Sequence, residues 1–302
     1  MKFMVDYPIR SDQNGDWIRP ENMAEFARVA EAVGVDAISI TDHPAPSKKW
    51  LDHGGHETLD PFAGLSFFAA VTTRLRLMTH LVVVPYRNPL LLAKCMTSLD
   101  VVSAGRSIFV LGTGYLRSEF GALGVDFDER NGLFDEAIDV LKGVWSTDAF
   151  EYEGKYFTAR GQIISPPPVQ RPHPPLWVGG NSALSRERVA RWGQGWAPMQ
   201  ANAAVATTTR TVPLEGDDAF RAALDDLAVR LDKHGRSLAD IDVMAWSEPR
   251  AGQSTDAYVD RLGELAALGA TWSLVELDTS SFPAVLDDLR RWGRDHEAVV
   301  KV

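Results

Sequence analysis

Two short stretches of this sequence combine residue types that can do chemistry. The first runs Pro172, His173, Pro174, Pro175, Leu176, Trp177, Val178, Gly179, Gly180, Asn181, Ser182. Its prolines forbid a helix and deliver the chain extended into a short apolar strand over residues 176–178, which stops at the two glycines. Asn181 or Ser182 then caps a helical pattern over 183–192. Glycines let a ligand approach the backbone, and the unpaired N–H groups of a helix's first turn favour an anion, so a phosphate suits the place. The same letters also describe an ordinary strand-to-helix turn. The second stretch is Asp42-His43. A histidine there could act as general acid or base or hydrogen-bond a cofactor ring, or the pair could simply close a strand before Pro44.

Other candidates carry less. His80 lies in a strand-like run, where an inward structural role and a ligand contact are both open. His53 and His56, with Asp52 and Glu57, have a metal-like spacing, but they fall on a Gly54-Gly55 loop with no second cluster, so a solvated loop and no metal are expected. Cys95 sits in an apolar helical stretch and reads as a buried packing residue. Trp177 and Trp192 read as packing, and Trp196, at a strand end, is kept as a candidate.

These residues need elements to position them. Apolar runs at 3–7, 35–41, 75–84, 107–111, 176–178, 195–199, 241–246 and 271–277 read as strands, each followed by a helical pattern. Asp60-Pro61 and Asn88-Pro89 are helix openers, and Gly34, Gly105, Gly235 and Gly269 are helix stops. A turn is expected at Asn14-Gly15 and a hairpin over 150–157 around Gly154-Lys155. Residues 115–131 lose periodicity, and 201–216 reads as an irregular, mobile loop. Eight alternating units predict a parallel (β/α)8 TIM-type barrel, read as one domain over 1–302. A doubly wound sheet is disfavoured because no glycine fingerprint follows the first strand. In such a barrel the site lies at the C-terminal strand ends. That gathers Asp6-Tyr7, Asp42-His43, Thr79-His80, Gly112-Thr113-Gly114, Gly179-Gly180 and Trp196 around one mouth, where something flat and phosphorylated could lie against bare backbone.

Composition agrees with a small-molecule partner. The chain has 302 residues, 45% hydrophobic and 24% charged, and its formal net charge of −10 argues against nucleic acid or an acidic membrane surface. One cysteine gives no disulfide framework. With no signal-peptide core and no apolar run long enough to span a bilayer, a cytoplasmic location is expected.

The runs LVVVPYRNP (81–89), LDVVSAGR (99–106), LGTGYLRSEF (111–120) and PPPVQRPHPPLWVGGNS (166–182) resemble the bacterial luciferase-like oxidoreductases, and within them the branch using the deazaflavin coenzyme F420. The resemblance covers most of residues 1–200 and is weak from Ala201 on. It implies a deazaflavin ring in the barrel mouth with its phosphate on Gly179, Gly180, Asn181 and Ser182. It also implies a non-proline cis peptide in the third strand, near Thr79, His80 and Leu81, that supports the ring, although most relatives carry a small residue where His80 stands. Gly112, Thr113, Gly114 and Tyr115 belong to the same cofactor wall, and a homodimer is implied. In the family's sugar-phosphate dehydrogenases a glutamate acid follows the Gly-Thr-Gly; here Tyr115 takes that place, and a phenol is a far weaker acid, which argues against that chemistry.

The expected function is hydride transfer between F420 and a small organic substrate. His43 would polarise or protonate the substrate and Asp42 would orient it. A flavin mononucleotide (FMN) monooxygenase of the same family is the alternative, since both coenzymes present a tricyclic ring and a phosphate. A non-catalytic cofactor carrier would leave Asp42-His43 without a task, and a metal-dependent barrel hydrolase would require bound metal.

Overall fold

The computed structural model describes residues 1–9, 15–246 and 255–300. Among them are ten strands: β1 (Lys2–Asp6), β2 (Ala37–Ile40), β3 (Arg76–Val83), β4 (Ser107–Gly112), β5 (Phe150–Glu153), β6 (Thr158–Gln162), β7 (Leu176–Gly179), β8 (Gly195–Ala197), β9 (Asp242–Trp246) and β10 (Trp272–Leu274). All but β5 and β6 close a parallel barrel in the order β1-β10-β9-β8-β7-β4-β3-β2. These are the eight strands read from the sequence, in the (β/α)8 arrangement. β5 and β6 form the expected hairpin, which runs on to Gln162. Asn14, of the turn expected at Asn14-Gly15, lies outside the described residues.

A parallel strand is covered on both sides, so it needs an apolar residue at nearly every position. β2 and β4 meet this fully, with every residue buried. Alternate positions part to two cores. Met4, Met78, Val110, Trp177, Met244 and Trp272 pack together as one cluster, while their neighbours Phe3, Leu77, Phe109 and Leu111 join Phe26, Phe68 and Met96 of the surrounding helices.

The helices are α1 (Pro20–Ala32), α2 (Lys48–Asp52), α3 (Pro61–Val71), α4 (Pro89–Val102), α5 (Arg117–Ala122), α6 (Arg130–Ser146), α7 (Ala183–Trp192), α8 (Ala203–Thr209), α9 (Gly216–Lys233), α10 (Thr255–Leu268) and α11 (Phe282–Val300). Their openings follow the sequence signals. Asp60 accepts from the N–H groups of Phe62 and Ala63, both at 3.0 Å, and Asn88 accepts from Leu90 N–H at 2.9 Å. None of the described helices is long and apolar enough to cross a membrane.

Three connections differ from expectation. The 44–60 loop contains α2, the aperiodic 115–131 stretch contains α5, and residues 201–216 are ordered around α8 rather than irregular. That last segment is closed by a bridge between Ala201 and Leu214, and Asn202 caps α8 by accepting from the N–H groups of Ala204 and Val205. The proline-rich approach to β7 is fixed by buried Asp100, whose carboxylate accepts from the N–H groups of Val169 (2.7 Å) and Gln170 (3.0 Å) and from Ser107 Oγ (2.7 Å). β3 shifts register between Thr79 and Val82, and the His80-Leu81 peptide inside that irregularity is cis.

Candidate active site

The C-terminal strand ends surround a cavity of about 620 Å³. On one wall β2 runs out at Ile40, and His43 follows in the connection to α2. His43 Nδ1 lies 3.2 Å from Glu119 Oε2, on α5, which β4 and its Gly112-Thr113-Gly114 exit deliver to this point. Glu119 is fully buried, and it accepts also from Ala45 N–H (2.9 Å) and the Tyr86 hydroxyl (3.0 Å). Burial alone would raise its carboxyl pKa; the hydrogen bonds from His43, Ala45 and Tyr86 outweigh this and hold it below its ordinary value. Burial, and after it the same carboxylate, pushes the Tyr86 phenol up. Around His43 stand Trp50 (ring centroids 4.6 Å apart), His56 (5.1 Å) and Tyr115 (6.0 Å). Burial, and after it Glu119, pushes the Tyr115 phenol up to about 12, so it stays a neutral hydroxyl at ordinary pH.

A second imidazole–carboxylate pair lines the same cavity. His80 Nδ1 is 3.1 Å from Asp6 Oδ1 at the end of β1, and Ser39 of β2 donates its hydroxyl to that oxygen. Burial works to raise the Asp6 carboxyl, but His80 and Ser39 prevail and hold it low. Trp246 of β9 faces this pair, its ring centroid 6.3 Å from that of His80.

At the far end lies the glycine turn. Gly180 adopts φ +104°, a conformation L side chains rarely take. Ser182, not Asn181, caps α7, accepting from Ser185 N–H at 3.0 Å. Asn181 is buried and holds the opposite segment: it donates to the carbonyls of Met199 (2.7 Å) and Val212 (2.8 Å) and accepts from Met199 N–H (2.8 Å). Arg130 and Arg210 also line this end, both beside the Phe127 ring, with Arg117 outside them. Arg117 is paired with Asp128 (2.8 Å), so Arg130 and Arg210 are the guanidiniums that give this end of a chain of net charge −10 its local basic character.

His43, Asp42, His80, Leu81, Gly112, Thr113, Gly114, Tyr115, Gly179, Gly180, Asn181 and Ser182 all line the cavity. Thr79 does not; its hydroxyl is buried in the barrel wall and donates to Val110 O at 3.0 Å. Asp42 is turned from His43. It accepts from Val83 N–H (2.9 Å) and forms a two-pronged pair with Arg87 (2.5 and 2.9 Å), so it braces the end of β3. The glycines at 112 and 179 do not leave bare backbone: a Cβ on either would fall 2.5 or 2.4 Å from the side chain of Leu81, which fills the space above both. Trp196 is buried outside the cavity, stacked on Phe220, its indole donating to Gly180 O. His56 is not on a solvated loop, since it lines the cavity with Nε2 3.0 Å from Thr41 Oγ1. His53 stays on the surface against Lys49 O. Among the described residues no three potential ligands are grouped to hold a metal. Cys95 is half-buried against the core, and burial raises its thiol.

Sequence reasoning missed Glu119, Arg130, Arg210 and Trp246 as site residues. For Glu119 the signal was present, a carboxylate five residues beyond the Gly112-Thr113-Gly114 exit, but only the fold shows that it meets His43.

The sequence model of the luciferase-like monooxygenases matches residues 1–298. The chain belongs to this family. Among luciferase-like relatives, it is 26% identical over 242 residues to an F420-dependent glucose-6-phosphate dehydrogenase of Microbacterium testaceum, covering 79% of this chain and 65% of that enzyme. It is 32% identical over 125 residues to an FMNH2-dependent dimethylsulfone monooxygenase of Pseudomonas putida, covering 40% of this chain and 34% of that one. The chain thus spans less than two thirds of the length of these relatives. Its fold matches the monooxygenase RslO1 of Streptomyces bottropensis (TM-score 0.79, 19% identity, 98% of both chains). It also matches the coenzyme F420-dependent tetrahydromethanopterin reductase of Methanopyrus kandleri (TM-score 0.73, 17% identity, 97% of both chains).

Proposed function

We propose that the chain, acting as one domain and as a homodimer, is an oxidoreductase that moves a hydride between F420 and a small organic substrate. The observation that carries this reading is the pairing of His43 with buried Glu119 in the same cavity as the glycine turn. The donor set fits a phosphate-bearing planar cofactor. The first-turn N–H groups of α7, Ser182, Arg130 and Arg210 would hold the phosphate, and Leu81, which covers Gly112 and Gly179, would support the ring. When bound, the deazaflavin supplies a carbon that accepts or donates hydride. Glu119 fixes the His43 proton on Nδ1 and leaves Nε2 to exchange a proton with the substrate oxygen. Tyr115, Trp50 and His56 enclose that imidazole and exclude water from it. Tyr115 is a hydrogen-bond donor and not an acid, which supports a substrate other than a sugar phosphate.

An FMN-dependent monooxygenase is the second reading, favoured by the same phosphate seat and by the dimethylsulfone monooxygenase relative. Titration of the purified protein with F420 and with FMN, read by cofactor fluorescence, separates the two. Tight F420 binding with weak FMN binding supports hydride transfer. FMN binding alone supports the monooxygenase, and binding of neither removes the phosphate seat.

A further inference from the structure

We propose that Asp6 and His80 form a second proton-holding pair, which takes up a proton to match the negative charge gained by the cofactor ring on reduction. This rests on the reading that a phosphate-bearing deazaflavin or flavin fills the cavity. The placement follows from the order of groups along one wall. A ligand anchored at Ser182 passes Gly180 and Gly179 and then the side chain of Leu81, which covers both Gly179 and Gly112. His80 lines the same cavity as Leu81 with its Nδ1 held on Asp6, so a planar group filling that cavity would lie beside the imidazole.

The chemistry of the pair is one-directional. Asp6 is ionised and can only accept, so the His80 proton sits on Nδ1, 3.1 Å from Oδ1. The hydrogen bonds of His80 among the described residues end at Nδ1, and Nε2 is left as the atom that can take a further proton. Among the described residues, the groups recorded against the pair are Ser39 of β2, Trp246 of β9 and His56, which acts on Asp6 through space. None of these is a second carboxylate.

The step balances. A substrate C–H bond breaks and its hydride forms a C–H bond on the ring, which gains two electrons and one negative charge. The substrate O–H bond breaks, its proton goes to His43 Nε2, and its electron pair completes the C=O bond. A proton from solvent adds to His80 Nε2 beside the ring. The two protons are therefore held by separate pairs, His43 with Glu119 and His80 with Asp6. A group that contacts only the reduced, charged form more strongly must tilt affinity toward that form.

The test compares dissociation constants of oxidised and reduced F420, and of oxidised and reduced FMN, under anaerobic conditions for the wild type, His80→Gln and Asp6→Asn. The ratio of oxidised to reduced constants should fall about tenfold in either variant, and urea midpoints close to that of the wild type report intact folding independently of the cofactor. An unchanged ratio in a folded variant overturns the proposal, as does equal loss of both forms. Wild-type protein that binds neither cofactor overturns the underlying reading instead. Proton uptake needs no variant: reduction of the bound cofactor in weak buffer should take up more protons than reduction of the free cofactor at the same pH, and equal uptake overturns the proposal.

Discussion

At the scale of single residues, the site is two imidazoles, each tied through Nδ1 to a carboxylate from a distant part of the chain. His43 was legible because it follows a strand end beside Asp42. Its true partner was not, since Glu119 lies 76 residues away and only the packing of α5 against the β2 exit joins them. Asp42 misled for the same reason, its carboxylate being drawn to Arg87, 45 residues on. His43→Ala should abolish turnover while leaving cofactor affinity within about threefold, measured by steady-state kinetics and fluorescence titration. Glu119→Gln should lower turnover by about 10²-fold and stability by about 2 kcal/mol, because a buried charge-assisted network becomes a neutral one. The pH dependence has a definite sign. The Glu119 carboxyl titrates below its ordinary value of 4.5 in the folded protein, so its stabilisation is complete above that value and is lost as pH falls below it. Urea midpoints of the wild type should therefore decline on acidification below about 4.5 more steeply than those of Glu119→Gln.

At the scale of elements, the eight barrel strands were legible because a strand covered on both faces is an unbroken apolar run, stopped by glycine or proline. The short helices α2, α5 and α8 were not, having 5, 6 and 7 residues, too few for a helical repeat to show. Yet α5 carries Glu119, and α8 sits in the segment that Asn181 ties to the glycine turn. Arg130 and Arg210 gave no sign in sequence because lone arginines in polar stretches are ordinary surface residues. Asn181 joins the turn to that segment through three hydrogen bonds. Asn181→Ala should weaken cofactor binding about tenfold and raise protease sensitivity within residues 199–214, read by titration and by mapping of cleavage sites.

At the scale of the whole molecule, a barrel of eight parallel strands gathers residues from Asp6 to Trp246 into one cavity, which no local pattern in the sequence could display. The outer surface carries its own signal. Leu91 and Val102 are each 59% exposed and stand eleven residues apart on α4, hence on one face, with Ile163 and Val169 also exposed. A homodimer that buries this face predicts a mass of twice 33.2 kDa by light scattering, and Val102→Asp should return the monomer. The manner in which Asn181 grips its neighbour also bears on descent. The three bonds of its side chain all end on main-chain atoms of Met199 and Val212. Mutation can therefore change exposed side chains between these two anchor points, Arg210 excepted, without loosening the clasp. A lineage could exchange one substrate for another in that stretch while the glycine turn is inherited intact, and an alignment of relatives should show sequence likeness fading there first.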